Sequence, residues 1–91
     1  MVNFHIVVRH EVGLHARPAT DFVKTAGSFK SKIRLRKHGS KGSWMNAKSI
    51  LSVLSLGVDQ NDEIELQIEG EDEEEAAAAL TRLIESNFGE G

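Results

Sequence analysis

The run Glu63-Ile64-Glu65-Leu66-Gln67-Ile68-Glu69 alternates without a break between polar and apolar residues. Side chains on a strand point to opposite faces in turn, so this segment has one wet face and one buried face. Such a strand calls for an antiparallel sheet covered by helices on one side only. The other strand candidates agree. Phe4-His5-Ile6-Val7-Val8 puts Phe4, Ile6 and Val8 on one side, and the segment Phe29 to Arg36 opposes Phe29, Ile33 and Leu35 to Lys30, Lys32, Arg34 and Arg36. A polar, glycine-rich turn at residues 37–43 then leads to a hairpin return through Trp44-Met45-Asn46.

Between the strands, apolar residues recur at helical spacing. Ala19, Phe22, Val23 and Ala26 predict a helix over residues 16–27, closed by Gly27. Ser49 and Gly57 bracket Ile50 to Leu56 as N-cap and C-terminal glycine. A helix of about two turns fits that stretch, and a buried strand is the competing reading, since periodicity alone does not separate them. After Gly70 an acid-rich segment opens a helix whose buried stripe is Ala76, Leu80, Leu83 and Ile84, with Gly89-Glu90-Gly91 as a fraying tail. The carboxylates of Asp72 to Glu75 suit the positive end of that helix, each contributing about 0.3–1 kcal/mol at most when exposed. The element order is β-α-β-β-α-β-α. It predicts an α+β fold, an open-faced two-layer sandwich with a four-stranded antiparallel sheet and three helices on one face. At 91 residues the chain is expected to form a single domain, 1–91.

Composition narrows the function classes. The chain has no cysteine, so a disulfide framework or thiolate zinc site is excluded. Its start lacks a basic and a long apolar segment, and no apolar run reaches membrane-spanning length, so a cytoplasmic protein without membrane insertion is expected. The formal charge of −3 is unevenly spread: Lys30 to Lys41 holds six bases and no acid, whereas Asp59 to Glu75 holds ten acids and no base. Such blocks steer partners or form two solvated faces. The acidic balance and the lack of interleaved aromatics on the basic strand argue against nucleic acid as a partner.

The chemistry concentrates at Gly13-Leu14-His15-Ala16-Arg17-Pro18-Ala19. Gly13 suits a turn, and Pro18 suits the first turn of a helix, where a missing N–H costs nothing. His15 then falls at the N-cap of a helix beginning at Ala16. Unpaired N–H groups and the positive end of the macrodipole meet there. A neutral imidazole is a nucleophile near physiological pH, the Arg17 guanidinium matches phosphate geometry, and Ala16 and Ala19 leave room. The site is built to receive an anion, either a ligand phosphate or a phosphoryl group bonded to the ring; the plain alternative is a histidine that only caps a helix. His5, His10 and His38 read as surface or structural residues. His5, His10 and His15 lie on a strand, a loop and a helix start, which do not converge, so neither a metal nor another cofactor is expected. Ser49 is a second candidate: a phosphoserine at that helix start would be stabilised while adding charge to the surface. Ile50, Leu51, Val53 and Leu54 cannot all point inward, which leaves an apolar patch for a partner.

These blocks resemble the HPr family, the histidine-containing phosphocarriers of the bacterial phosphoenolpyruvate:sugar phosphotransferase system. Gly13 to Ala19 is similar to the family's active-site signature, and Asn46-Ala47-Lys48-Ser49-Ile50 through Ser55-Leu56-Gly57 to its regulatory serine region. The resemblance implies a protein that is not an independent catalyst. It would accept a phosphoryl group from Enzyme I onto Nδ1 of His15, with Arg17 stabilising the group, and pass it to an enzyme IIA domain for sugar uptake. It further implies a docking surface drawing on Thr20, Lys24, Ile50, Leu51 and Leu54, and most simply a monomer. Phosphorylation of Ser49 by an HPr kinase/phosphorylase would hamper exchange with Enzyme I and recruit a carbon-catabolite transcription regulator. The chain departs from the family in a longer turn at residues 37–43 and in Ser52, where some kinase-regulated members have glycine. The longer turn and the acid-led, alanine-rich last helix are also found in the nitrogen-branch relative, NPr. Lys48-Ser49-Ile50 is closer to the carbon branch, and the presence of His15 sets the chain apart from the paralogue Crh.

Overall fold

In the computed structural model, which describes residues 1–89, the alternating segment is the strand β4, Glu63–Glu69. It lies between β1, Val2–Val7, and β2, Lys32–Lys37, and is antiparallel to both. A two-residue strand β3, Met45–Asn46, pairs with the outer side of β2, giving the order β1-β4-β2-β3. The helices α1, Ala16–Gly27, α2, Ile50–Ser55, and α3, Glu73–Glu85, complete the expected order. This is the open antiparallel α+β sandwich predicted from the strand pattern. Ile64, Leu66 and Ile68 are fully buried or nearly so, and with Ile33 and Leu35 they meet Phe22 of α1 and Leu80 of α3. Among the described residues, no helix is long and apolar enough to cross a membrane.

Helix ends follow local chemistry. The Ser49 hydroxyl accepts a hydrogen bond from Ser52 N–H at 3.3 Å, and Gly57 takes a positive φ of 63° just past the cap. These two residues settle the segment as a helix rather than a buried strand; a serine cap of this kind contributes about 1 kcal/mol. Gly27 lies inside α1, which Ser28 caps instead. Leu83 is half-buried beside the fully covered Ala76 and Leu80. Val8 is buried just beyond the end of β1. Gly89 ends a turn at Asn87–Gly89 that buries Phe88, while Glu90 and Gly91 lie outside the described residues.

One strand begins later than its alternation predicts. Residues 29–31 are not part of β2 because their backbone is engaged elsewhere. Phe29 N–H donates to Ala26, and Lys30 and Ser31 N–H donate to the carboxylate of Asp72 at 2.8 and 2.9 Å. Buried Ser31 also donates its hydroxyl to Asp72. Asp72 stands at the start of α3 but makes no side-chain cap to its own helix; it ties that helix to the α1–β2 turn. The charge blocks find a similar resolution. Because β2 and β4 are neighbours, Lys32 faces Glu69 and Arg36 faces Glu65, with Arg36 Nε 3.1 Å from the Glu65 carboxylate. Lys30 pairs with Glu71 at 3.1 Å and Lys37 with Asp62 at 3.4 Å. The two blocks face each other across the sheet and its flanking turns.

The hydrogen bonds from the Ser31 hydroxyl, then from the Lys30 and Ser31 N–H groups, hold the Asp72 carboxyl below its ordinary range. A carboxylate depressed in the folded state contributes stability above its unfolded pKa and loses it as pH falls through the folded value. Asp72→Asn is therefore expected to lower the melting temperature at neutral pH. It should also make the loss of stability below about pH 4 less steep than in the parent chain. Melting curves from neutral to acid pH check both; an unchanged acid limb would show that Asp72 does not latch the turn.

Candidate functional site

The loop before α1 is fixed by a close backbone approach. Gly13, at φ 68°, packs against the 58–59 segment so tightly that an added Cβ would stand 2.2 Å from the Val58 carbonyl oxygen and 2.7 Å from Asp59 Cα. Leu14 N–H donates to Val58 at 2.9 Å, and the Leu14 side chain is fully buried. The next residue is thereby carried to the surface. His15 is the extended N-cap of α1, and its side chain makes no cap to the helix.

Instead, His15 Nε2 lies 3.3 Å from a carboxylate oxygen of Asp59. A carboxylate accepts only, so in the neutral ring this contact selects the tautomer with hydrogen on Nε2 and leaves the lone pair on Nδ1. Asp59 is itself positioned by Asp62, whose carboxylate accepts Asp59 N–H at 2.8 Å. That bond is the main cause holding the Asp62 carboxyl below its ordinary range, with Lys37 adding to it. The ring is about 38% exposed, enough to be met by a partner.

The backbone ladder of α1 begins just beyond the ring. The first backbone bond of α1 runs from Ala19 N–H to the His15 carbonyl, so the N–H groups of Ala16 and Arg17 have no intrahelical acceptor. Pro18 has no N–H to satisfy, and its ring is buried. Ala16 is exposed and takes a φ of 51°, a left-handed conformation uncommon for a residue with a Cβ. Strain of this kind, of order 1–3 kcal/mol, concentrates at functional sites. Arg17 is exposed, with its Nε 3.8 Å from Asp21 one turn on. A nucleophilic nitrogen, helix-start N–H groups and a guanidinium thus share one helix end, an arrangement suited to holding a phosphoryl group.

A family model described as the PTS HPr component phosphorylation site matches residues 2–86. The chain belongs to the HPr family. Phosphocarrier protein HPr of Mycoplasma genitalium is 42% identical over 88 residues, 96% of this chain and 97% of that one. The crystal structure of HPr-C-His from Thermoanaerobacter tengcongensis superposes with a TM-score of 0.93 at 47% identity, covering 100% of this chain and 99% of the other. Crh of Bacillus subtilis, described as a catabolite repression protein forming a swapped dimer, gives 0.71 at 40% identity over 96% and 97%.

The remaining positions expected from the HPr resemblance lie on or near the surface. Thr20 is exposed and donates its hydroxyl to the Ala16 carbonyl at 3.3 Å, and Lys24 is exposed further along α1. The short helix α2 packs beside α1, buries Val53 and leaves Ile50, Leu51 and Leu54 exposed, Leu51 to 78%. Ser49 is half-buried at its start. His10, read from sequence as part of a polar loop, is buried: its Nδ1 accepts Val12 N–H at 3.2 Å and its ring meets Phe88 edge-on. Asp59 was invisible to motif reasoning because it is 44 residues from its partner. The left-handed Ala16 carries no signal either, since alanine is a helix former.

In an ordinary helix Ala→Gly costs about 1 kcal/mol. At a left-handed position the absent Cβ relieves about 1–2 kcal/mol, which offsets the added freedom of the unfolded chain. Ala16→Gly is expected to leave stability unchanged or raise it by up to about 1 kcal/mol in urea denaturation. A loss of the ordinary size would show that residue 16 is not left-handed in solution.

Proposed function

We propose that this HPr-family chain carries a phosphoryl group on Nδ1 of His15, received from phosphorylated Enzyme I and passed to an enzyme IIA domain for sugar uptake. The observation that supports this most is the His15–Asp59 contact, which directs the nucleophilic lone pair to Nδ1 at the start of α1. As the Nδ1–P bond forms, the bond from phosphorus to the donor breaks, and no proton need leave the ring because Nδ1 carries none. The product ring keeps its Nε2–H, and the hydrogen bond to Asp59 strengthens as the imidazole gains positive character. The Ala16 and Arg17 N–H groups and the Arg17 guanidinium are suited to the phosphoryl oxygens. The protein turns over between partners in the cytoplasm and is not a catalyst alone. Thr20, Lys24 and the apolar trio Ile50, Leu51 and Leu54 form the docking surface. Relatives bearing the HPr and Crh names at 40–47% identity favour the sugar branch over the nitrogen branch.

Incubation with Enzyme I and phosphoenolpyruvate is expected to give a stoichiometric, acid-labile phosphate on this chain, and His15→Ala to abolish it. An acid-stable product, or labelling of His15→Ala, would overturn the assignment.

Regulation through Ser49 is a second role for the same surface. Ser49 caps α2 directly beside the apolar trio, and the similarity to Crh supports a contact with an HPr kinase/phosphorylase and a carbon-catabolite regulator. A phosphoserine there gains from the cap while setting like charge against an acidic partner. Ser49→Asp is expected to slow acceptance from Enzyme I by about tenfold or more, the kinetic equivalent of about 1.4 kcal/mol. Stopped-flow transfer rates indistinguishable from the parent would count against this veto.

A further inference from the structure

The outer face of the sheet, opposite the helices, brings together three residues that the sequence keeps far apart. His5 points outward from β1, and Glu63 begins the neighbouring strand β4. His38 follows β2 on the other side of β4; its N–H donates to the Glu63 carbonyl at 2.9 Å, extending the strand ladder by one residue. The two imidazoles reach across the central strand and stack, ring centroids 4.3 Å apart and planes 23° from parallel. Beside this stack lies the Glu63 carboxylate. One of its oxygens is hydrogen-bonded to His5 Nδ1, and the other is 4.0 Å from His38 Nε2.

We propose that His5, His38 and Glu63 form a binding site for one divalent first-row transition ion, of the kind that takes imidazole and carboxylate ligands. One ligand atom from each residue already lies within 4.8 Å of the others. Bonds of about 2.0–2.2 Å to a shared ion need rather closer spacing. Rotation of exposed side chains supplies it, while His5 and Glu63 stay fixed in the sheet and the His38 N–H ties that residue to β4. Coordination through His5 Nδ1 requires the ring proton on Nε2, so the ion replaces the hydrogen bond to Glu63 with a shared ligand bond. Neighbouring cations do not compete for that carboxylate. Arg36 is held by Glu65 and lies over the Trp44 ring at 4.2 Å, and Lys37 is held by Asp62. Two imidazoles and one carboxylate, with further positions open to water, suit Zn²⁺, Ni²⁺ or Cu²⁺ rather than Mg²⁺ or Ca²⁺. The site is on the other face of the sheet from α1, so it does not use His15.

Titration of the full chain with ZnCl₂ by calorimetry, in a buffer that does not chelate, tests the site. Saturable binding of a single ion per chain is expected, reversed by EDTA, with ring ¹⁵N shifts at His5 and His38 and none at His15. His5→Ala and His38→Ala should each weaken binding by at least about tenfold. Glu63→Gln should weaken it too, and His15→Ala should leave it intact. Because His5 and His38 are exposed, these variants should keep the parent's circular dichroism and its phosphoryl acceptance. Absence of saturable binding, or binding that persists in both His5→Ala and His38→Ala, would overturn the proposal.

Discussion

Everything at the candidate site of this molecule depends on two stretches of backbone lying closer than any side chain permits. Gly13 rests against Val58 and Asp59, and the contact joins the loop that leads into α1 to the turn that leads into β4. Leu14 is pulled into the core by the same contact, and His15 emerges beside Asp59 as a result. A methyl group at residue 13 would have to push backbone aside, in a conformation that already disfavours it. The imidazole's tautomer is thus set by packing between loops, and only secondarily by the helix it caps.

Electrostatics elsewhere in the fold leaves the first turn of this helix without an acid of its own. Most of the acids in residues 59–75 that are engaged meet bases of β2 or backbone N–H groups, as Glu65 does with Arg36 and Asp72 with residues 30–31. The helix α3 carries three acids in its first turn, whereas α1 carries none. A carboxylate in the first turn of α1 would occupy the same N–H groups that suit a phosphoryl group. The two helix starts in one small protein thus differ in charge: one meets the positive dipole end with three acids of its own, the other carries none.

Sequence patterns carried the elements well and their mutual placement poorly. β4 was legible because its alternation is unbroken, α1 because Ala19, Phe22 and Ala26 share a face, and α2 once Ser49 and Gly57 are taken as its ends. The start of β2 was not, because Phe29 to Ser31 obey strand alternation while Ala26 takes the N–H of Phe29 and Asp72, some forty residues away, takes those of Lys30 and Ser31. His5 and His38 looked like unrelated surface residues for a similar reason. Nothing local announces that β4 inserts between β1 and β2 and so draws the two rings over Glu63. The candidate histidine could be picked out because its signature is contiguous, whereas Asp59, which contacts it, could be found only through tertiary structure.

The strand order has a temporal consequence. The central strand is the last to be synthesised, and it must pair Val2 with Ile68 and Lys32 with Glu69 before either neighbour has a complete ladder. Contacts of such long range are slow to form and reward the chain only late. The histidine meets its carboxylate only once the turn that leads into β4 has packed against Gly13, so its placement waits on the same long-range pairing as the sheet.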